Sequence, residues 1–179
     1  MTTSKTTATA WDRLAKRLDT LTPATTTFTI CDDADLRQRL AHAKTAVDDA
    51  ETALAGLQPE DEPHRPLVRK RAEDARDALA AVQAEFDQRA IRLHFKALAR
   101  QELEALQNAH PASEKEEEAG EDYEMETFAP ALISAASVDG MPVEYARHLL
   151  DTWSAADARA LWHAAWSIQH QSRADLGKG

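Results

Sequence analysis

The stretch LRQRLAHAKTAVDDAETALAGL, residues 36–57, decides the fold class. Leu36, Leu40, Ala43, Val47, Ala50, Leu54 and Leu57 alternate steps of four and three without a miss, a seam that keeps one helix face turned to a partner. Downstream, QPEDEPHRP (58–66) holds three prolines that stop helix propagation, and Pro66 sits where a first-turn proline is tolerated. A second seam follows: Val68, Ala72, Ala75, Leu79, Val82 and Phe86. Two seams of similar length around a short loop predict an antiparallel helical hairpin, each arm spanning roughly 30 Å at about 1.5 Å per residue. The alanines at 43, 50, 72 and 75 leave a shallow groove along it, suited to a third helix or a second copy.

Outward from the hairpin the pattern changes. Residues 1–10 are polar and low in complexity, which predicts a disordered start. Trp11, Leu14, Leu18 and Leu21 then fall three and four apart, as in a short amphipathic helix ending near Thr22-Pro23. TTTFTIC (25–31) is β-branched and reads as one short strand. IRLHFKAL (91–98) alternates Ile91, Leu93 and Phe95 with Arg92, His94 and Lys96, so it is either a partner for that strand or the end of the second arm. Leu98, Leu103 and Leu106 suggest a short helix closing before His110-Pro111.

Residues 111–126 follow as an acidic linker, ASEKEEEAGED at its centre, whose self-repulsion predicts an extended, mobile tether. Then 127–171 resumes with high apolar density. Thr127 can cap a helix bearing Phe128, Leu132, Ile133 and Ala136, with Pro130 in its first turn; Asp139-Gly140 stops it and Pro142 restarts the chain. Val143, Ala146, Leu149 and Leu150 make a second helix. Ser154 and Asp157 resemble a capping box that opens a third, with Leu161, Ala165 and Ile168 on one face. The expected architecture is all-α: a helical hairpin region over 11–110 with an optional short two-stranded β element, a three-helix unit over 127–171, and a flexible tail from 172 to 179.

Composition agrees with helices packed through small side chains. Apolar residues make up 43% of the 179, aromatics only 6%, and there are five glycines. The net charge of −10 is mostly local, since eight acids and Lys115 between 111 and 128 contribute −7. No basic patch offers itself to nucleic acid. Cys31 is the single cysteine, which excludes an intrachain disulfide and a Cys-rich zinc site. No run of about 18 apolar residues is present to span a bilayer, and MTTSKTTATAWDRL lacks the apolar core of a signal peptide, so a cytoplasmic location is expected.

Spacing argues against an enzyme. His163 and His170 are seven apart, too far for one ion, no HExxH occurs, and none of the glycines forms a phosphate-binding pattern. Asp48-Asp49 lies outside the seam, on a solvated face. No catalytic residue, cofactor or metal ligand is therefore predicted. The informative residues are tryptophans: Trp153, Trp162 and Trp166 lie within fourteen residues, and the last two flank the stripe set by Leu161, Ala165 and Ile168. A unit of about 45 residues needs large aromatics for its own core, yet tryptophan is also enriched at interface hot spots. Phe128, Leu132, Trp153, Trp162 and Trp166 are the expected apolar contact region for a partner protein.

At Phe128 to Ile133 (FAPALI), Leu149 to Ser154 (LLDTWS) and Leu161 to Ala165 (LWHAA), with RLHFKALARQELEALQNAHP before the acidic spacer, the chain resembles the tail assembly chaperones of long-tailed bacteriophages. The resemblance covers about 92–171 and extends to 25–91 only in general plan. It implies an uncatalysed function in the host cytoplasm: holding the long, helical tape measure protein soluble until tail tube subunits, the major tail protein, polymerise around it. The rival expectation is a coiled-coil structural or regulatory adaptor that self-associates through 36–86.

Overall fold

The computed structural model describes residues 9–118, 120 and 122–172. It is mostly α, with 71% of the described residues helical and one short two-stranded antiparallel sheet. In chain order the elements are α1 (Ala10–Asp19), β1 (Thr25–Ile30), α2 (Ala34–Ala55), a 3₁₀ segment (Pro59–His64), α3 (Arg65–Arg89), β2 (Ile91–Lys96) and α4 (Arg100–Ala109). There follow α5 (Glu114–Glu118), α6 (Met125–Ala136), α7 (Val143–Thr152), α8 (Ala155–Ser167) and a closing 3₁₀ turn (Ile168–His170). The alternation at 91–96 is thus a strand paired with β1, the first of the two readings it allowed.

The chain forms two compact units, Thr29–Arg92 and a larger one of Met1–Phe28 with Leu93–Gly179. The division falls inside both strands, not between sequential domains at 110 and 127 as expected. The reason lies in the larger core. Phe95 of β2 is wholly buried among Ile133, Leu161 and Ile168, and Phe28 and Leu93 pack on the same cluster. The three C-terminal helices therefore do not close a core alone; the sheet residues complete it.

The smaller unit is the α2–α3 hairpin that the seams predict. Asp33 caps α2 by accepting from the Leu36 amide at 2.9 Å, and Leu36, Leu40, Cys31 and Ala72 are buried. The rest of the seam is half-buried, as two helices without a third layer require. Ion pairs Arg39–Glu85 and Arg76–Glu51, each at 2.9 Å, and Arg89–Asp33 join the arms. Pro63 falls in the 3₁₀ segment and Pro66 in the first turn of α3.

In the larger unit, the Ala97 amide donates to the Ala24 carbonyl and Val138 to His94, each at 2.8 Å. Gln169 binds the Leu98 amide at 2.8 Å and the Lys96 carbonyl at 3.2 Å. These bonds satisfy backbone groups of β2 and of the residues just beyond it that β1 and the helices leave unpaired. Ser154 caps α8 as expected, the Asp157 amide donating to its Oγ at 3.2 Å, but the return bond of a capping box is replaced by one from the Ser154 hydroxyl to the Asp157 carboxylate at 2.6 Å. Helix α6 begins two residues before the expected cap. Glu124 occupies that position, and the Thr127 hydroxyl donates to its carboxylate at 2.8 Å. Pro130 consequently lies past the first turn, buried in the core. Gly140 has φ +76°, the left-handed conformation that lets the chain turn from α6 into α7.

The acidic segment is not an extended tether. Pro111 and Tyr123 form an antiparallel bridge, the Glu124 amide donates to the His110 carbonyl at 3.0 Å, and α5 stands between, with Ser113 accepting from the Glu117 amide at 2.9 Å. Anchoring Tyr123 against Phe128 holds the loop against its own repulsion. At the other end of the chain, Thr9 and Ala10 are the cap and first residue of α1, not part of a disordered start. Residues 1–8 and 173–179 of the expected flexible ends lie outside the described residues.

Candidate functional site

The amino end of α6 and the facing sides of α7 and α8 enclose a groove of about 490 Å³. Helix α6 contributes Met125, Glu126, Thr127 and Ala129; α7 contributes Arg147, Leu150 and Asp151; α8 contributes Ala158, Arg159 and Trp162. The spacings explain the convergence. Leu150 and Asp151 lie three and four residues after Arg147 on α7, and Trp162 lies four after Ala158 and three after Arg159 on α8, so each set forms one row. Ala146 and Leu149 hold the opposite side of α7 in the core.

The floor is apolar, formed by Met125, Ala129, Leu150, Ala158 and Trp162, and the small alanines admit a close approach. The rim is charged: Glu126 and Asp151 against Arg147 and Arg159. None of these four is ion-paired within the described residues. An open apolar trough with unpaired charges of both signs suits a helical or extended segment bearing apolar side chains between polar ones. Among the described residues no three His, Cys, Asp or Glu side chains converge as a metal site would need, and no helix is long and apolar enough to cross a membrane.

An aromatic cluster supports the groove from beneath. Phe128 lies 4.1 Å from Tyr123, 5.8 Å from Trp162 and 6.1 Å from Trp166 between ring centroids, the two tryptophans meeting it edge-on. Trp162 stacks on Trp166 at 5.4 Å with an interplanar angle of 16°. Such contacts fix the Trp162 ring in one orientation.

The five expected contact residues thus separate. Phe128 and Leu132 are 0% exposed and are core: one turn apart on α6, they pack with Tyr123 against Leu98, Leu103, Leu106, Trp162 and Trp166. Trp153 is half-buried elsewhere, packing on the sheet-side cluster and stacking on Phe28 at 6.2 Å. Trp166 is half-buried between Tyr123, Trp162 and His170. Trp162 alone of the five lines the groove. Met125, Arg147, Leu150, Asp151 and Arg159 line it too, and no local motif marks them. Only the 147–151 spacing on the polar side of α7 hints at a shared row.

No family model matches the sequence, and neither a curated protein nor a solved structure does.

Proposed function

We propose that the protein is a tail assembly chaperone that binds the tape measure protein in the host cytoplasm, without catalysing a reaction, and releases it as tail tube subunits assemble. One observation supports this reading most: the groove is built from the segments that carry the resemblance, with Ala129 in FAPALI, Leu150 and Asp151 in LLDTWS, and Trp162 in LWHAA. Its apolar floor gives reversible, sequence-tolerant contact with successive client segments, and its mixed-sign rim selects helices that carry charge beside their apolar face.

The test is co-expression with a tape measure protein, scored by client solubility and co-purification. Trp162→Ala and Ala158→Trp are expected to reduce rescue about tenfold while far-UV circular dichroism is kept. Full rescue by both variants, each folded, would refute the groove as the client site.

A second reading, a self-associating coiled-coil adaptor, draws on the hairpin, whose seam beyond Leu36, Leu40 and Ala72 is only half-buried. It predicts an oligomer that survives loss of the groove and leaves the client insoluble.

A further inference from the structure

Helix α1 is deliberately built, yet nothing in the described chain covers its apolar side. Its start is closed reciprocally, the Asp12 amide donating to Thr9 Oγ1 at 3.1 Å and the Thr9 amide to the Asp12 carboxylate at 2.7 Å. Trp11, Leu14, Leu18 and Leu21 are nonetheless 65%, 49%, 55% and 58% exposed. With Arg17 they line a shallow trough of about 290 Å³. Large apolar side chains gathered on one side of a helix mark an interaction surface, where scattered ones would not.

The edges of this face are charged and of opposite sign. At about 100° per residue, Arg13 and Arg17 run along one edge and Asp12 and Asp19 along the other. Arg13, Arg17 and Asp19 have no ion-pair partner within the described residues.

We propose that the occupant is a second copy of this chain, with α1 of one copy lying in the α6–α7–α8 groove of the next. The two surfaces complement each other in kind. The groove offers an apolar floor with Trp162 and Leu150, acids at Glu126 and Asp151, and bases at Arg147 and Arg159; α1 offers an apolar stripe with bases on one edge and acids on the other. All four rim charges lack ion-pair partners among the described residues.

Other occupants fit less well. In an antiparallel pairing of two α1 helices about the middle of the stripe, like edges meet, which sets Arg13 of one copy against Arg17 of the other. An anionic lipid surface would attract the arginines but repel a chain of net charge −10. The α1–groove contact joins two different surfaces, so it is heterologous and leaves one α1 and one groove free at the ends of any open chain of copies. Resting on the proposed function, it also sets α1 in competition with the client for one groove.

The test is sedimentation velocity of the full chain, without client, over a concentration series. Wild type is expected to associate as concentration rises. Leu14→Glu with Leu18→Glu, both exposed positions, should weaken association about tenfold or more. Ala158→Trp, which fills the groove, should do the same, and Glu126→Lys with Asp151→Lys provides a groove variant that leaves the apolar packing untouched. Mixing the α1 variant with a groove variant should yield a one-to-one pair and nothing larger, since each brings one intact half.

A wild type that stays monomeric throughout overturns the proposal. So does an α1 variant that associates like wild type, which would place the contact on the hairpin, or a mixture that stays monomeric. Flotation of wild type, but not the α1 variant, with phosphatidylcholine–phosphatidylserine vesicles would assign the helix to lipid and likewise overturn it. Client rescue is scored separately: a folded groove variant that still solubilises the client counts against the proposed function and leaves the self-association result standing.

Discussion

Replacing Phe128 with alanine separates the core from the contact surface most directly. The ring is 0% exposed and sits against Tyr123, Trp162 and Trp166. Losing the transfer free energy of a buried large side chain costs about 1.5–3 kcal/mol. The cavity adds to this, because the surrounding rings are stiff and Tyr123 is pinned by the Pro111 bridge, so the site collapses poorly. The expected total is about 4 kcal/mol, within the usual range of about 3–5 kcal/mol for such truncations. Urea unfolding followed by two probes reads it out. All four tryptophans lie in the larger unit and none in Thr29–Arg92, so tryptophan emission reports the larger unit while far-UV circular dichroism reports both. With a slope of about 2 kcal/mol per molar, the emission midpoint should fall by about 2 M. Trp11→Ala, at 65% exposure, serves as a control and should change stability by less than about 0.5 kcal/mol. A Phe128→Ala protein destabilised by under about 1 kcal/mol, but unable to hold the proposed client, would refute the burial argument and return Phe128 to the contact surface.

The smaller unit provides the converse case. Leu36 is 1% exposed at the base of the hairpin, so Leu36→Ala should cost about 2–4 kcal/mol, seen as a shift in the circular dichroism transition with the tryptophan emission transition unchanged; a matching shift in both would show that the units unfold together. The Asp139 carboxylate is held below the usual carboxylate range, first by the His94 amide at 2.7 Å and then by the His94 ring at 3.3 Å. A depressed folded value contributes stability above the unfolded pKa of about 3.9, and that contribution is lost as pH falls through the folded value. The stability difference between wild type and Asp139→Asn should therefore shrink as pH falls below about 4; a difference that persists unchanged into acid would show that the charge is not responsible.

How much of this was legible in the sequence depends on how local each feature is. The hairpin, the Pro66 start of α3 and the Ser154 cap of α8 rest on contacts within a few residues or on a period that repeats along one helix, and each is present. The unit boundary was not legible, because Phe28 and Phe95 reach the core of the C-terminal helices through strand pairing across more than sixty intervening residues. The start of α6 was misplaced for a different reason. Thr127 is a good capping residue, but Tyr123 and Glu124 are fixed by the His110–Pro111 backbone, and that pairing carries the helix start upstream. Phe128 and Leu132, one turn apart, face the Tyr123 cluster wherever the helix starts, and a site chosen for its aromatic density turns out to be the support beneath a groove. Density of aromatics locates where a small fold places its mass, whereas a binding surface depends on which charged and apolar side chains stay unpaired once that mass is buried. Within the described residues those are Glu126, Arg147, Asp151 and Arg159 around Trp162, and the stripe from Trp11 to Leu18 on α1 with Leu21 just past its end. The two sets share no motif, and neither stands out until the burial of everything else has been settled.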